Sequence, residues 1–317
     1  MKDLRLLICL TIASVNAIFS NFALAEPPSN LRERIKERIQ DRVQERALTP
    51  RQDKLSEHVA NDKSFERTEL AGVTVAIWYP KISAPYPLVI FSHGFHGSDN
   101  QSIFLMKALA SAGFMVVAPS HRDALNKGCA EAQANFAKVN DWSSSTYADR
   151  KTDIENVVKA LHTNSEWKDR VDWSKFALAG HSLGGYTVLG LAGAWPDWKM
   201  PEVKAVLALS PYCAPYLMHH TMNKVKVPVM FQGGTKDLGI TPSLKRKDGA
   251  FEQANSPAYL VEFQNGSHFS WTNFKRNNGL DEPIEKYSIA FLNKYLKGKD
   301  SPILKEKLSG VSLLSTK

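Results

Sequence analysis

Ten residues near the middle of the chain, Phe176-Ala177-Leu178-Ala179-Gly180-His181-Ser182-Leu183-Gly184-Gly185, leave little freedom in how the rest can fold. The apolar run reads as a buried strand, the small residues after Gly184 as a helix, and G-x-S-x-G is the turn between them. Such a turn is so tight that side chains at Gly180 and Gly184 would collide with strand and helix. Ser182 is thereby lifted out of the sheet edge with its hydroxyl exposed.

The flanking chain carries the same rhythm. From Phe65 onward, short apolar runs alternate with helical stretches. Val73–Tyr79, Leu88–Ser92, Met115–Pro119, Phe176–Ala179, Ala205–Leu209, Val227–Phe231 and Tyr259–Phe263 read as strands. Most lack polar/apolar alternation, as expected where both faces are buried. Gln101–Ala112, Asp149–Thr163, Tyr186–Ala194, Leu244–Ala254 and Pro283–Lys297 read as helices. The predicted class is α/β, a mostly parallel central sheet covered by helices on both faces.

A serine hydroxyl needs a base, and the base needs an orienting acid. On a strand–turn–helix nucleophile the partners follow in the order Ser, acid, His. Only His219, His220 and His268 lie beyond Ser182. Asp197 and Glu202 are the only acids between Ser182 and the His219-His220 pair, and neither follows a strand. His268 follows the strand Tyr259–Phe263 directly, in Asn265-Gly266-Ser267-His268. Asp237 ends a strand–glycine–glycine–turn run that begins at Val227 and is the predicted acid, with Asp197 as runner-up. For the oxyanion of an acyl-transfer intermediate, the expected donors are the backbone N–H groups of Leu183 and of Phe95, in the loop His93-Gly94-Phe95-His96-Gly97. His93 and His96 have H-x-x-H spacing, but no nearby acid or cysteine completes a zinc set, so no metal is expected.

Together, Ile77–Pro80, Tyr86–Gly97, Gly180–Tyr186, the Gly233–Asp237 turn and Asn265–His268 resemble the α/β-hydrolase superfamily. More narrowly, they resemble dienelactone-hydrolase-like and platelet-activating-factor-acetylhydrolase-like esterases and bacterial cutinase-type polyester hydrolases. The resemblance spans roughly residues 65 to 297. It implies hydrolysis of carboxylic esters through an acyl-enzyme on Ser182, with His268 as base and no cofactor. It also carries an acyl-pocket role onto Phe95 and Tyr212. Trp271, three residues past His268, is a further substrate-binding candidate. The resemblance has limits: the nucleophile is serine, unlike the cysteine of true dienelactone hydrolases, and Tyr212 stands where polyester hydrolases commonly have Trp. An acyltransferase, a thioesterase, or a lipid or polyester hydrolase on the same three residues is the alternative.

The N-terminal region reads differently. Lys2 and Arg5, an apolar Leu6 to Phe19 and Ala23-Leu24-Ala25 describe a signal peptide over residues 1–25, cut after Ala25, and hence a periplasmic or secreted product. Residues 26–62 form a charged arm in which Leu31, Ile35, Ile39 and Val43 stripe an amphipathic helix, Leu31–Ala47. That helix reads as an oligomerisation arm or a loose contact with an anionic envelope surface; a solvated spacer is the plainer reading of so narrow a stripe. A catalytic domain is expected over 63–300 and a weakly ordered C-terminal tail over 301–317. The net charge of +8 is dispersed and accompanies no nucleic-acid motif, so the expected partner is a small or lipid-like ester and not a nucleic acid. Cys129 and Cys213 read equally well as a disulfide or as two separate thiols.

Overall fold

The computed structural model describes residues 64–274 and 279–317. The predicted signal peptide and the Leu31–Ala47 helix lie outside the described residues. Residues Ser64–Lys317 form one compact unit.

Along the chain, β1 (Glu66–Leu70), β2 (Val73–Trp78) and β3 (Tyr86–Ser92) are followed by helix α1 (Ile103–Ser111) and β4 (Met115–Pro119). Next come α2 (Ala148–Thr163), β5 (Val171–His181), α3 (Leu183–Leu189), β6 (Ala205–Leu209), α4 (Ala214–Met218) and β7 (Val229–Gly234). The short helices α5 (Thr241–Lys245) and α6 (Ala250–Gln253) lead to β8 (Ala258–Phe263), α7 (Asp281–Lys297) and β9 (Val311–Thr316). The sheet order is β1-β2-β4-β3-β5-β6-β7-β8-β9. The run from β4 to β8 is parallel, and β1, β2 and β9 are antiparallel to their neighbours. This is an α/β-hydrolase fold.

Two-sided burial explains why these strands lack alternation. Every residue of β3, β4, β6, β7 and β8 is buried. Leu88 and Ile90 share a core with Ile154 and Leu161 of α2 and Leu183 and Val188 of α3. Val89 and Phe91, next in the pleat, point to the other face. That face is covered by α1 and α7, which pack on each other. Each fully buried aliphatic side chain contributes roughly 1.5–3 kcal/mol.

Several elements differ from the sequence reading. Glu66–Leu70 is a strand because Ala71 and Gly72, at φ 49° and 77°, turn it back onto β2 in a two-residue hairpin. The predicted helix Leu244–Ala254 is broken into α5 and α6 at Asp248 (φ 61°) and Gly249. The predicted helix Tyr186–Ala194 starts earlier, at Leu183, and ends in a π-turn, Gly190–Ala194. Residues 301–317, expected as a weakly ordered tail, instead supply β9, which is antiparallel to β8. The reason is the edge of β8: its backbone N–H and C=O groups need partners, and Lys317 and Ala258 exchange two hydrogen bonds of 3.0 Å.

Candidate active site

The loops that carry the candidate residues follow β3, β5, β6, β7 and β8, all at the carboxyl edge of the parallel strands. Ser182 sits at φ 55°, ψ −116°, a backbone region that side-chain-bearing residues seldom adopt. Neighbours hold it there: its N–H donates to Leu209 O (3.0 Å), and its carbonyl accepts from Tyr212 N–H (3.0 Å) and Tyr186 N–H (3.1 Å). The crossing is as close as the motif requires. A Cβ on Gly184 would overlap Ser92 O, and one on Gly180 would overlap Gly184 O.

His268 Nε2 lies 3.0 Å from Ser182 Oγ. Behind it, Asp237 is buried, with carboxylate oxygens 3.3 and 3.4 Å from His268 Nδ1. A residue not anticipated from the sequence stands between them. The Ser210 hydroxyl donates to Asp237 Oδ2 and lies 2.8 Å from His268 Nδ1. A hydroxyl has one proton, and a carboxylate can only accept. Ser210 therefore gives its proton to Asp237 and accepts from Nδ1–H, which leaves Nε2 bare toward Ser182. Burial alone would push the Asp237 carboxyl up, but His268 and the Ser210 hydroxyl hold it below the usual carboxylate range. It stays ionised.

His181, the second residue of the G-x-S-x-G turn, is buried and donates Nε2–H to His268 O at 2.8 Å. Its Nδ1 accepts from Gln101 Nε2–H (3.1 Å), while Gln101 Oε1 accepts Gly94 N–H (3.0 Å). Gln101 thus joins the loop after β3 to the loop carrying His268. Desolvation, with the nearby His268, pushes the His181 ring down to about 3.

The structure sorts the other candidates. Leu183 is the first residue of α3, where an N–H has no intrahelical acceptor. Phe95 lies in the loop after β3, its ring stacked on His96 at 3.7 Å. Tyr212 is buried, and its hydroxyl donates to Phe136 O (2.7 Å). The Phe136 ring stands between Phe95 and Tyr212, with centroids 5.4 and 5.2 Å away. Trp271 does not face a binding space. It is 0% exposed and donates Nε1–H to Gln232 Oε1 at 2.9 Å, inside the packing of Phe263. The turn after His268 directs this large ring into the core, where its N–H finds an acceptor. Asp197, the runner-up acid, is exposed in the short turn Pro196–Trp198. His219 donates to Trp142 O at 2.8 Å. His93 is engaged at both nitrogens, donating Nδ1–H to Gly94 O (2.7 Å) and accepting His121 N–H on Nε2 (3.0 Å). Cys129 and Cys213 are not bonded to each other, and burial pushes the Cys213 thiol up.

Compared with known proteins, the chain aligns with cutinase est2 of Thermobifida alba at 26% identity, over 69% of this chain and 63% of that protein. It is 28% identical to cutinase 2 of Thermobifida cellulosilytica, over 69% and 72% of the two chains. A platelet-activating factor acetylhydrolase of Cavia porcellus is 23% identical, over 68% and 59%. The chain thus spans less than two thirds of the length of the Thermobifida alba and Cavia porcellus proteins. The family model described as Chlorophyllase matches residues 52–227, more than half of the sequence, including the loop after β3 and the Ser182 turn. On its fold and that match, the chain belongs to the chlorophyllase family.

Proposed function

We propose that this protein is a serine hydrolase of carboxylic esters. The observation that carries the reading is the contact of His268 Nε2 with the hydroxyl of Ser182, at 3.0 Å, on a strained turn with a buried carboxylate behind the imidazole. Ser182 Oγ attacks the ester carbonyl carbon as its proton passes to His268 Nε2. The carbonyl oxygen becomes an oxyanion facing the N–H groups of Phe95 and Leu183. Collapse expels the alcohol, which takes the proton from His268, and leaves acyl-Ser182. Water then attacks by the same route, returning Ser182 and releasing the acid. Asp237 and Ser210 hold the imidazole and balance its transient charge.

The acyl wall on this reading is Phe95, Phe136 and Tyr212. The Phe136 ring lies 5.4 Å from Phe95 and 5.2 Å from Tyr212, a crowded arrangement that favours short acyl groups. The name of one relative agrees in kind, since an acetylhydrolase removes an acetyl group. Export belongs to the same proposal and rests on the leader in residues 1–25.

The test is turnover of p-nitrophenyl esters from C2 to C16 by wild type and Ser182→Ala, beside labelling with a fluorophosphonate. Short-chain turnover and labelling are expected in the wild type, with both lost in the variant. Labelling that persists in Ser182→Ala would mean another nucleophile. Labelling without turnover of any ester would favour an acyltransferase with a required acceptor.

A further inference from the structure

Arg150, in the first turn of α2, is 0% exposed, and its guanidinium is almost fully used. It forks onto Asp123, with Nε to Oδ1 at 3.0 Å and Nη2 to Oδ2 at 2.7 Å. The remaining N–H groups reach the loop after β3. Nη1 donates to His93 O (2.7 Å), and Nη2 to Gly94 O (3.2 Å). Burial alone would push the Asp123 carboxyl up, but Arg150 holds it well below the usual range, so the pair is ionised. A buried ion pair is a weak source of stability, because desolvation offsets most of the attraction. Its placement calls for another reason.

That reason lies in the hydrogen bonds of one loop. The Gly94 carbonyl accepts three donors: Arg150 Nη2, His93 Nδ1–H (2.7 Å) and Gly97 N–H (2.9 Å). Among the N–H groups, Gly94 donates to Gln101, His96 to Asp123 Oδ2 (3.2 Å) and Gly97 to Gly94 O. Among the described residues, nothing accepts from Phe95 N–H. In a planar trans peptide the carbonyl of one residue and the N–H of the next point in opposite directions. Pulling the Gly94 carbonyl toward Arg150 therefore turns Phe95 N–H away from it. The loop lies against the nucleophile: a Cβ on Gly94 would stand 3.4 Å from Ser182 Cβ.

We infer that Arg150 and Asp123 are positioning residues that lock the Gly94–Phe95 peptide so that Phe95 N–H is aimed at the oxyanion. This rests on the ester-hydrolase reading. Asp123 completes the lock by fixing Arg150 and by occupying the neighbouring His96 N–H, so the loop cannot flip that peptide without breaking charged contacts. Such fixed donors stabilise developing charge without reorganising during the reaction. Neither residue touches substrate.

Two variants test this with p-nitrophenyl acetate and a trifluoromethyl ketone, which forms a tetrahedral oxyanion adduct on a reactive serine. Arg150→Lys keeps a buried cation beside Asp123 but loses the fork that spans two carbonyls. Arg150→Met with Asp123→Leu removes both charges, so neither is left unpaired. Each is expected to lower kcat about 100-fold, as loss of one oxyanion donor does. KM should stay within about threefold, and ketone affinity should fall by a factor similar to that in kcat. Circular dichroism and a cooperative urea transition establish which variants are folded, and only those are compared. A folded variant with wild-type kcat and ketone affinity would overturn the inference, as would a rise in KM with kcat retained. If both variants are unfolded, Asp123→Asn, which keeps the side-chain shape but sets an amide NH2 against either Arg150 or the His96 N–H, is read by the same kcat and ketone criteria. Wild type that turns over no ester would instead defeat the ester-hydrolase reading itself.

Discussion

Acidification should destabilise this fold well before its carboxylates titrate, because three histidines are buried in neutral form. His181 has both ring nitrogens committed, donating to His268 O and accepting from Gln101. A second proton would remove the acceptor and bury a charge. Its ring is pushed from 6.5 down to about 3, first by desolvation and then by His268. Between those values the unfolded chain binds a proton that the folded chain refuses. Stability is therefore complete above about pH 6.5 and is lost as pH falls toward 3, at about 1.4 kcal/mol per pH unit. At pH 5 His181 alone accounts for about 2 kcal/mol relative to pH 7. His93 and His121, also wholly buried, are lowered in the same sense by desolvation and by Arg150, and they add to the loss. Domains of this kind are stable by only about 5–15 kcal/mol, so the effect is large. Urea unfolding followed by tryptophan fluorescence at pH 7 and pH 5 measures it. His181→Gln keeps a donor and an acceptor without a titrating ring, and its loss between the two pH values should be smaller than wild type's by about 2 kcal/mol. Equal wild-type stability at pH 5 and pH 7 would refute the argument, as would the same pH dependence in His181→Gln.

Other expectations concern chemistry and processing. Ser182→Ala and His268→Ala should each lower kcat by about 10⁴-fold or more, with Asp237→Ala milder, as single-turnover and steady-state rates would show. Ser210→Ala should lower kcat about tenfold with little change in KM, and Ser210→Thr, which keeps the hydroxyl, should restore most of it; unchanged kcat in the alanine variant would remove Ser210 from the relay. Phe136→Ala should move the acyl-length optimum of the p-nitrophenyl series to longer chains, and an unmoved optimum would place the acyl wall elsewhere. Mass spectrometry of the exported protein should find Glu26 at its N-terminus, and retention of residues 1–25 would contradict the leader.

Much of the site was legible in the chain because its signals are local. The turn at Ser182 is set by glycines two residues to either side, where any Cβ would overlap backbone. Asp237 and His268 each follow an apolar strand within a few residues, so strand order alone brings both to the edge that carries Ser182. The same logic gave the parallel sheet, since strands buried on both faces have no alternation to display.

Only tertiary structure decided the rest. Ser210 is 58 residues from His268, Gln101 is 80 from His181, and Arg150 is 57 from the His93 carbonyl it holds. No periodicity or motif links such positions, because each pair brings together segments that belong to different strands, helices and loops. Trp271 shows the converse error. Its nearness to His268 in sequence suggested the binding space, but packing turned it inward to Gln232. The last strand needed the exposed edge of β8 before its pattern meant anything. Local backbone geometry therefore determined which side chains come to the carboxyl edge of the sheet. The orientation of the groups around them came from hydrogen bonds between distant segments, which exist only once the sheet has brought those segments together.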